Sequence, residues 1–213
     1  MENFNYTRQD YEDDLINPSL PHIKSRERFK AFYEELGKDP AQHAQDYVHD
    51  CLSFIKLKGK ILELGCHWGF NLIYWARQGF ECVGVEISEN LVKHGLEIIE
   101  KLPGEIRGRI TLINGWIENF IPPEKYDTVI LTEVLEHVID PLPIVQKAAE
   151  CLKPDGRLYV SAPTTKTGTY SHVRAINKSD MKYLLSHSGL EVVEWDEKLA
   201  ARDNTAVTVK LKI

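Results

Sequence analysis

The chain has 213 residues, 43% of them apolar and 27% charged, enough for one well-buried core and a composition that excludes collagen-like, coiled-coil and wholly disordered chains. Lys and Arg number 26 against 32 Asp and Glu, for a net charge of −6, and −4 of this falls within the first 23 residues. A nearly neutral body without a basic stripe disfavours nucleic acid and anionic membranes as partners and leaves a small molecule as the default.

The opening MENFNYTRQDYEDD has neither a basic n-region nor an apolar h-region, and no apolar run approaches the ~18 residues of a membrane span, so the cytosol is the expected location. Cys51, Cys66, Cys82 and Cys151 form no CxxC pair and read as reduced, buried thiols.

Residues 1–23, polar and acidic with Pro18 and Pro21, read as a flexible arm or a lid. Phe29, Phe32, Tyr33 and Leu36, followed by Gly37, mark a short helix, and Pro40 to about Ile55 a second, with Tyr47, Val48, Cys51, Leu52 and Ile55 on one face. Residues 1–57 are thus expected to form an arm and helical cap, and 58–213 the main body of a single structural domain. From Lys58 onward, short apolar runs alternate with amphipathic stretches. The strand candidates are Lys60 to Leu64, Cys82 to Val85, Ile110 to Ile113, Thr128 to Leu131 and Arg157 to Ser161. The helix candidates are Leu72 to Gln78, Glu89 to Leu102 and Leu142 to Leu152. That rhythm predicts βαβ units around a mostly parallel sheet, with ligands beyond the carboxyl ends of the strands. A polar loop, Ala162 to Ala175, then leads to a helix opened by a capping box at Asn177 and Asp180 and closed by Gly189. Glu191 to Trp195 and Thr205 to Ile213 follow without an intervening helix and should pair antiparallel. The expected fold is a three-layer, Rossmann-like α/β sandwich on a seven-stranded sheet with an antiparallel C-terminal strand.

The most informative stretch is Ile61-Leu-Glu-Leu-Gly-Cys-His-Trp-Gly-Phe-Asn71, a strand running through glycines into a helix, followed by Val83-Gly-Val-Glu-Ile-Ser88. Gly65 allows a sharp exit from the strand, Gly69 lets the helix pack close, and backbone N–H groups at the helix start can hold an anion. Glu86 follows Gly65 by 21 residues, where a carboxylate can accept hydrogen bonds from both ribose hydroxyls of an adenosine. A pyrophosphate would need G-x-G-x-x-G, and His67 blocks its close approach; there is also no Tyr-x-x-x-Lys pair. A nicotinamide-dependent oxidoreductase or epimerase is therefore the weaker alternative.

On these residues the sequence resembles the class I S-adenosylmethionine-dependent methyltransferases, whose first motif runs hydrophobic-Asp/Glu-hydrophobic-Gly-x-Gly-x-Gly. Glu63, Gly65 and Gly69 match, and His67 replaces the middle glycine. The likeness continues through Trp116 and Ile117, where the family places groups beside the adenine. It extends through Tyr126-Asp-Thr-Val-Ile-Leu-Thr-Glu-Val-Leu-Glu-His137 and Ser171-His-Val-Arg174, similar to segments of ubiquinone-type and sugar methyltransferases, and spans about residues 58 to 213. The resemblance implies S-adenosylmethionine as cofactor, with Glu63, Gly65, Cys66, His67, Gly69, Glu86, Ile87, Trp116, Ile117 and Thr132 around it. It implies methyl transfer to an O or N atom of a small molecule.

Such a transfer requires mainly alignment and, where needed, removal of a proton. His137 and His172 are the candidate bases, because an imidazole titrates near neutral pH. Were the chain after the fourth strand helical, Glu133, Glu136 and His137 would share a face, and with His172 they would make a divalent-metal ligand set. That set resembles the one in metal-dependent 2′-O-methyltransferases of RNA 3′ ends. The metal-free reading is preferred, and no metal is assigned. A regulatory module that binds the cofactor without turnover is a third class of reading. Monomer and homodimer are both open.

Overall fold

The computed structural model describes residues 57–165, 172–197 and 204–212. The arm and both cap helices expected within 1–57 lie outside the described residues.

Seven strands and five helices follow in chain order among the described residues: β1 (Ile61–Leu64), α1 (Phe70–Arg77), β2 (Cys82–Glu86), α2 (Glu89–Ile99), α3 (Gly104–Arg107), β3 (Ile110–Asn114), β4 (Tyr126–Thr132), α4 (Pro141–Glu150), β5 (Leu152–Pro163), α5 (Lys178–Ser186), β6 (Leu190–Trp195) and β7 (Asn204–Leu211). The sheet order is β3-β2-β1-β4-β5-β7-β6. β1 to β5 pair parallel, and β7 runs antiparallel to both β5 and β6. The strand order reverses between β1 and β4, and it is beyond this switch point that a doubly wound sheet opens a crevice.

The strands of the parallel half are near-continuous apolar runs because both faces are covered. β1 and β2 are buried at every position. One core cluster joins Leu62, Leu64, Val129, Leu131 and Val160 to Ile144, Val145, Met181 and Leu185 of α4 and α5. On the other face Ile61, Leu72, Trp75, Ile130 and Tyr159 pack together. Among the described residues, side chains cap three of the helix starts, of which the one at Asn177 is expected from the sequence. Ser88 caps α2 by accepting from Leu91 N, Asp140 caps α4 by accepting from Leu142 N, and Asn177 with Asp180 forms the complete capping box of α5.

β5 is longer than its apolar run predicts, beginning at Leu152 in place of Arg157. Tyr126 pairs with Leu152, and the register shifts before Thr128 pairs with Arg157, so a bulge carries Pro154 and Gly156 within a strand. The last helix before it accordingly stops at Glu150, and α2 stops at Ile99, with a separate short turn, α3, before β3. Cys66, Cys82 and Cys151 are buried and free. No helix among the described residues is long and apolar enough to cross a membrane.

Candidate active site

Gly65 leaves β1 with φ 81°, and Gly69 precedes α1 with φ 86°, backbone that a side chain disfavours. His67 between them is also left-handed, at φ 53°, which explains why glycine suits this position. The imidazole is exposed, so it does not fill the space under the loop. Its backbone N–H instead donates to Glu86 Oε2 at 3.0 Å. Cys66 turns its thiol inward, 4% exposed, and its N–H donates to Val85 O.

Glu86, 8% exposed, ends β2 with its second oxygen accepting from Ser88 N at 2.9 Å. Burial raises its pKa, while the N–H groups of Ser88, His67 and Ile87 oppose that rise. The carboxylate is thereby held rigid with lone pairs left over. Asn114, which sequence reasoning overlooked, clamps the next loop: its amide donates to Glu86 O at 3.0 Å and to Ile87 O at 2.8 Å. Half-buried Ile87, Trp116 and Ile117 stand at the ends of β2 and β3 beyond this clamp, and Ile117 also packs on the core.

Glu63 sits inside β1, 2% exposed. Asn71 Nδ2 donates to its Oε1 at 2.5 Å, whereas Oε2 is enclosed without a hydrogen-bond partner. Burial first, then the nearby Glu86 charge, pushes its pKa up to about 8 against the relief that Asn71 gives. A buried carboxyl oxygen left unmatched is costly, and it fits a cationic group of a ligand.

Beyond β4 the chain does not form the helix on which a shared face of the acids would depend. Residues 133–140 form a turn, not a helix, and Glu133 adopts φ 54°. Glu133, Glu136 and His137 therefore share no helical face. The Glu133 carboxylate is instead taken by Ser161 Oγ and Asn204 Nδ2, each at 2.9 Å, so a residue 71 positions away fixes it. Thr132, half-buried, ends β4 beside it. Three of the four metal candidates do meet: ligand atoms of Glu136, His137 and His172 lie within 4.8 Å of one another, and Glu133 is outside the group. The His137 and His172 rings cross edge-on with centroids 4.8 Å apart. Val173 N donates to Glu136 O at 2.9 Å, tying the two loops together. His172 has its pKa lowered by burial, with Glu133 pulling it the other way, which keeps a neutral imidazole available as a base.

Glu136 is fully buried, its oxygens have no hydrogen bond, and His137 Nε2 is 3.7 Å away. Burial, then the Glu133 charge, pushes its pKa up to about 8. With the unfolded value near 4.5, the folded protein holds a proton in that window that the unfolded chain has lost, so stability falls as pH rises from about 4.5 to about 8. Glu136→Gln should remove this part of the slope. By calorimetric scans its Tm should match wild type near pH 4.5 and exceed it by roughly 10 to 20 °C near pH 8.5, because a midpoint moved from about 4.5 to about 8 amounts to about 4 to 5 kcal/mol, at about 2 to 4 °C per kcal/mol. Equal Tm values at both pH values would show that Glu136 ionises without cost.

The glycine turn, the acid ending β2 and the reversal of strand order between β1 and β4 define a doubly wound α/β protein with its candidate site at the switch point. A family model described as a methyltransferase domain matches residues 36–195, and the chain belongs to that family. Among curated relatives, the ubiquinone biosynthesis O-methyltransferase of Vibrio cholerae is 26% identical over 153 residues, covering 62% of this chain and 61% of the relative. That of Xylella fastidiosa is 31% identical over 180 residues, covering 78% and 65%. The chain thus spans about three fifths of the length of the curated relatives it matches. A TehB-like SAM-dependent methyltransferase from Corynebacterium glutamicum superposes with a TM-score of 0.67 at 16% identity, covering 92% of this chain and 100% of that one. This likeness is one of fold. The family match favours methyl transfer over the oxidoreductase alternative.

Proposed function

We propose that the chain is an S-adenosylmethionine-dependent methyltransferase acting on an O or N atom of a small molecule. The observation that carries this reading is the pair of buried carboxylates, one within β1 and one ending β2, beside the glycine turn. Glu86 is held by two backbone N–H groups with lone pairs to spare for ribose hydroxyls, and Glu63 has an enclosed oxygen lacking a donor. These residues fit the cofactor: Glu86 takes the ribose, Glu63 the ammonium, and the Gly65 to Gly69 turn the methionyl carboxylate. Cys66 and His67 contribute backbone to that turn, while Ile87, Trp116 and Ile117 flank the adenine, and Thr132 borders the crevice from β4. When bound, the cofactor supplies a methyl group already activated on a sulfonium.

The acceptor then lies against the loops after β4 and β5, where His137 or His172 removes its proton. The names of the curated relatives, ubiquinone biosynthesis O-methyltransferases, support an oxygen atom as the first acceptor to try. The metal-free reading is kept as the preferred one, supported by the burial of Glu136, which pushes its carboxyl toward the protonated form. Residues 58–213 act as one unit, with residues 1–57 as its cap, working in the cytosol as a monomer or homodimer.

The test is calorimetry with S-adenosylhomocysteine, followed by transfer of a labelled methyl group to a panel of catechols, phenols, amines and sugars, with and without EDTA. Saturable binding and label in an acceptor, unchanged by EDTA, are expected. Binding without label in any acceptor would indicate a regulatory module. Loss of turnover in EDTA, restored by Mg²⁺, would reassign Glu136, His137 and His172 as metal ligands.

A further inference from the structure

We propose that Asn71 is a positioning residue for the cofactor's amino end: by holding one oxygen of Glu63 it aims the other at the ammonium. This rests on the cofactor reading above. Asn71 stands in the first turn of α1, eight residues from Glu63, and closes the strand, turn and helix onto one another through the 2.5 Å contact from Nδ2 to Oε1. A carboxylate is planar, so fixing one oxygen fixes the direction of the other, which is enclosed and lacks a donor. A cationic ligand group would supply that donor and charge together.

Among the described residues, the titratable groups that act on Glu63 or feel its charge are all acidic. Glu86 stands at the end of β2, Cys82 lies within β2 and Cys66 in the turn, and the three feel the Glu63 charge or impose their own on it. Among the described residues no Lys, Arg or His forms an ion pair with Glu63. Ligand-free Glu63 therefore keeps its proton near neutrality, with its pKa raised to about 8 by burial and by Glu86, and with Asn71 working against that rise. Binding an ammonium beside it expels the proton. Asn71 thus has two linked effects, on the direction of the carboxylate and on how readily it ionises.

The experiment is calorimetric titration of the full chain with S-adenosylhomocysteine between pH 6 and pH 9, in buffers of different ionisation enthalpy. Wild type should bind more tightly as pH rises toward the Glu63 midpoint and release a proton near pH 7. Asn71→Leu, which keeps the bulk and removes the donor, should bind about tenfold more weakly at pH 7 and recover most of the loss by pH 9, as expected when a midpoint moves up by about one unit. Asn71→Gln, which restores a donor, should return the profile toward wild type. An equal loss at every pH for Asn71→Leu would reduce Asn71 to a helix-start residue and overturn the inference. Tight wild-type binding with no proton release would overturn it as well, while leaving the cofactor reading intact. Absence of wild-type binding at every pH would instead defeat the cofactor reading, and this inference with it.

Discussion

Gly65→Ala is expected to abolish measurable binding of S-adenosylhomocysteine and to lower Tm by roughly 4 to 20 °C. A Cβ on Gly65 would stand 2.4 Å from Val134 Cγ2. Val134 cannot yield easily, because it is 9% exposed and packs in the main core cluster. The same position has φ 81°, so any side chain adds left-handed strain of about 1 to 2 kcal/mol to an overpacking cost of about 1 to 3 kcal/mol. At about 2 to 4 °C per kcal/mol this gives the stated range. The function suffers more than the fold, because relief must come by moving either the turn after β1 or the turn after β4, and both border the crevice. Thermal denaturation and calorimetry on one preparation check the two effects, and wild-type affinity in a folded Gly65→Ala protein would show that the turn does not shape the site.

Glu86→Ala should weaken S-adenosylhomocysteine binding by roughly 10- to 100-fold, corresponding to about 1 to 3 kcal/mol for charged hydrogen bonds lost. The carboxylate has two functions in the geometry. It accepts from Ser88 N and His67 N, which holds the left-handed His67 in place, and it keeps lone pairs for the ribose. Glu86→Gln leaves one acceptor and should fall between wild type and Ala. A ligand lacking both ribose hydroxyls, 2′,3′-dideoxy-S-adenosylhomocysteine, should lose little further affinity in Glu86→Ala, because the partner of those hydroxyls is already gone. Comparable losses in wild type and variant would place the ribose elsewhere.

How far the molecule was legible in its sequence depends on the range of the forces that shape each part. The order of strands and helices follows from local periodicity. The helix start at Asn177 was legible because its capping box satisfies N–H groups within one turn, whereas the Ser88 and Asp140 caps were not singled out. Glu63, Gly65, Gly69 and Glu86 could be singled out because a strand followed by a tight turn leaves few choices at fixed spacing. The turn after β4 was not legible as such. The spacing of Glu133, Glu136 and His137 fits a helix, but the β4 strand, the glycine turn beside Val134 and the claim of Ser161 and Asn204 on Glu133 act across the sheet. The bulge in β5 likewise arises from pairing with β4 and not from its own residues. Asn71 and Asn114 were missed because an amide that ties one loop to another carries no periodic signature. Only the eight-residue offset of Asn71 from Glu63, across a strand and a glycine turn, hinted that the two side chains could meet.

The decisive measurement is a crystal structure with S-adenosylhomocysteine bound. Both ribose hydroxyls are expected on the Glu86 carboxylate, the amino group on Glu63 Oε2, and Gly65 to Gly69 wrapped around the homocysteine. Ligand density beyond some other pair of strands, with Glu63 and Glu86 contacting only protein, would contradict it.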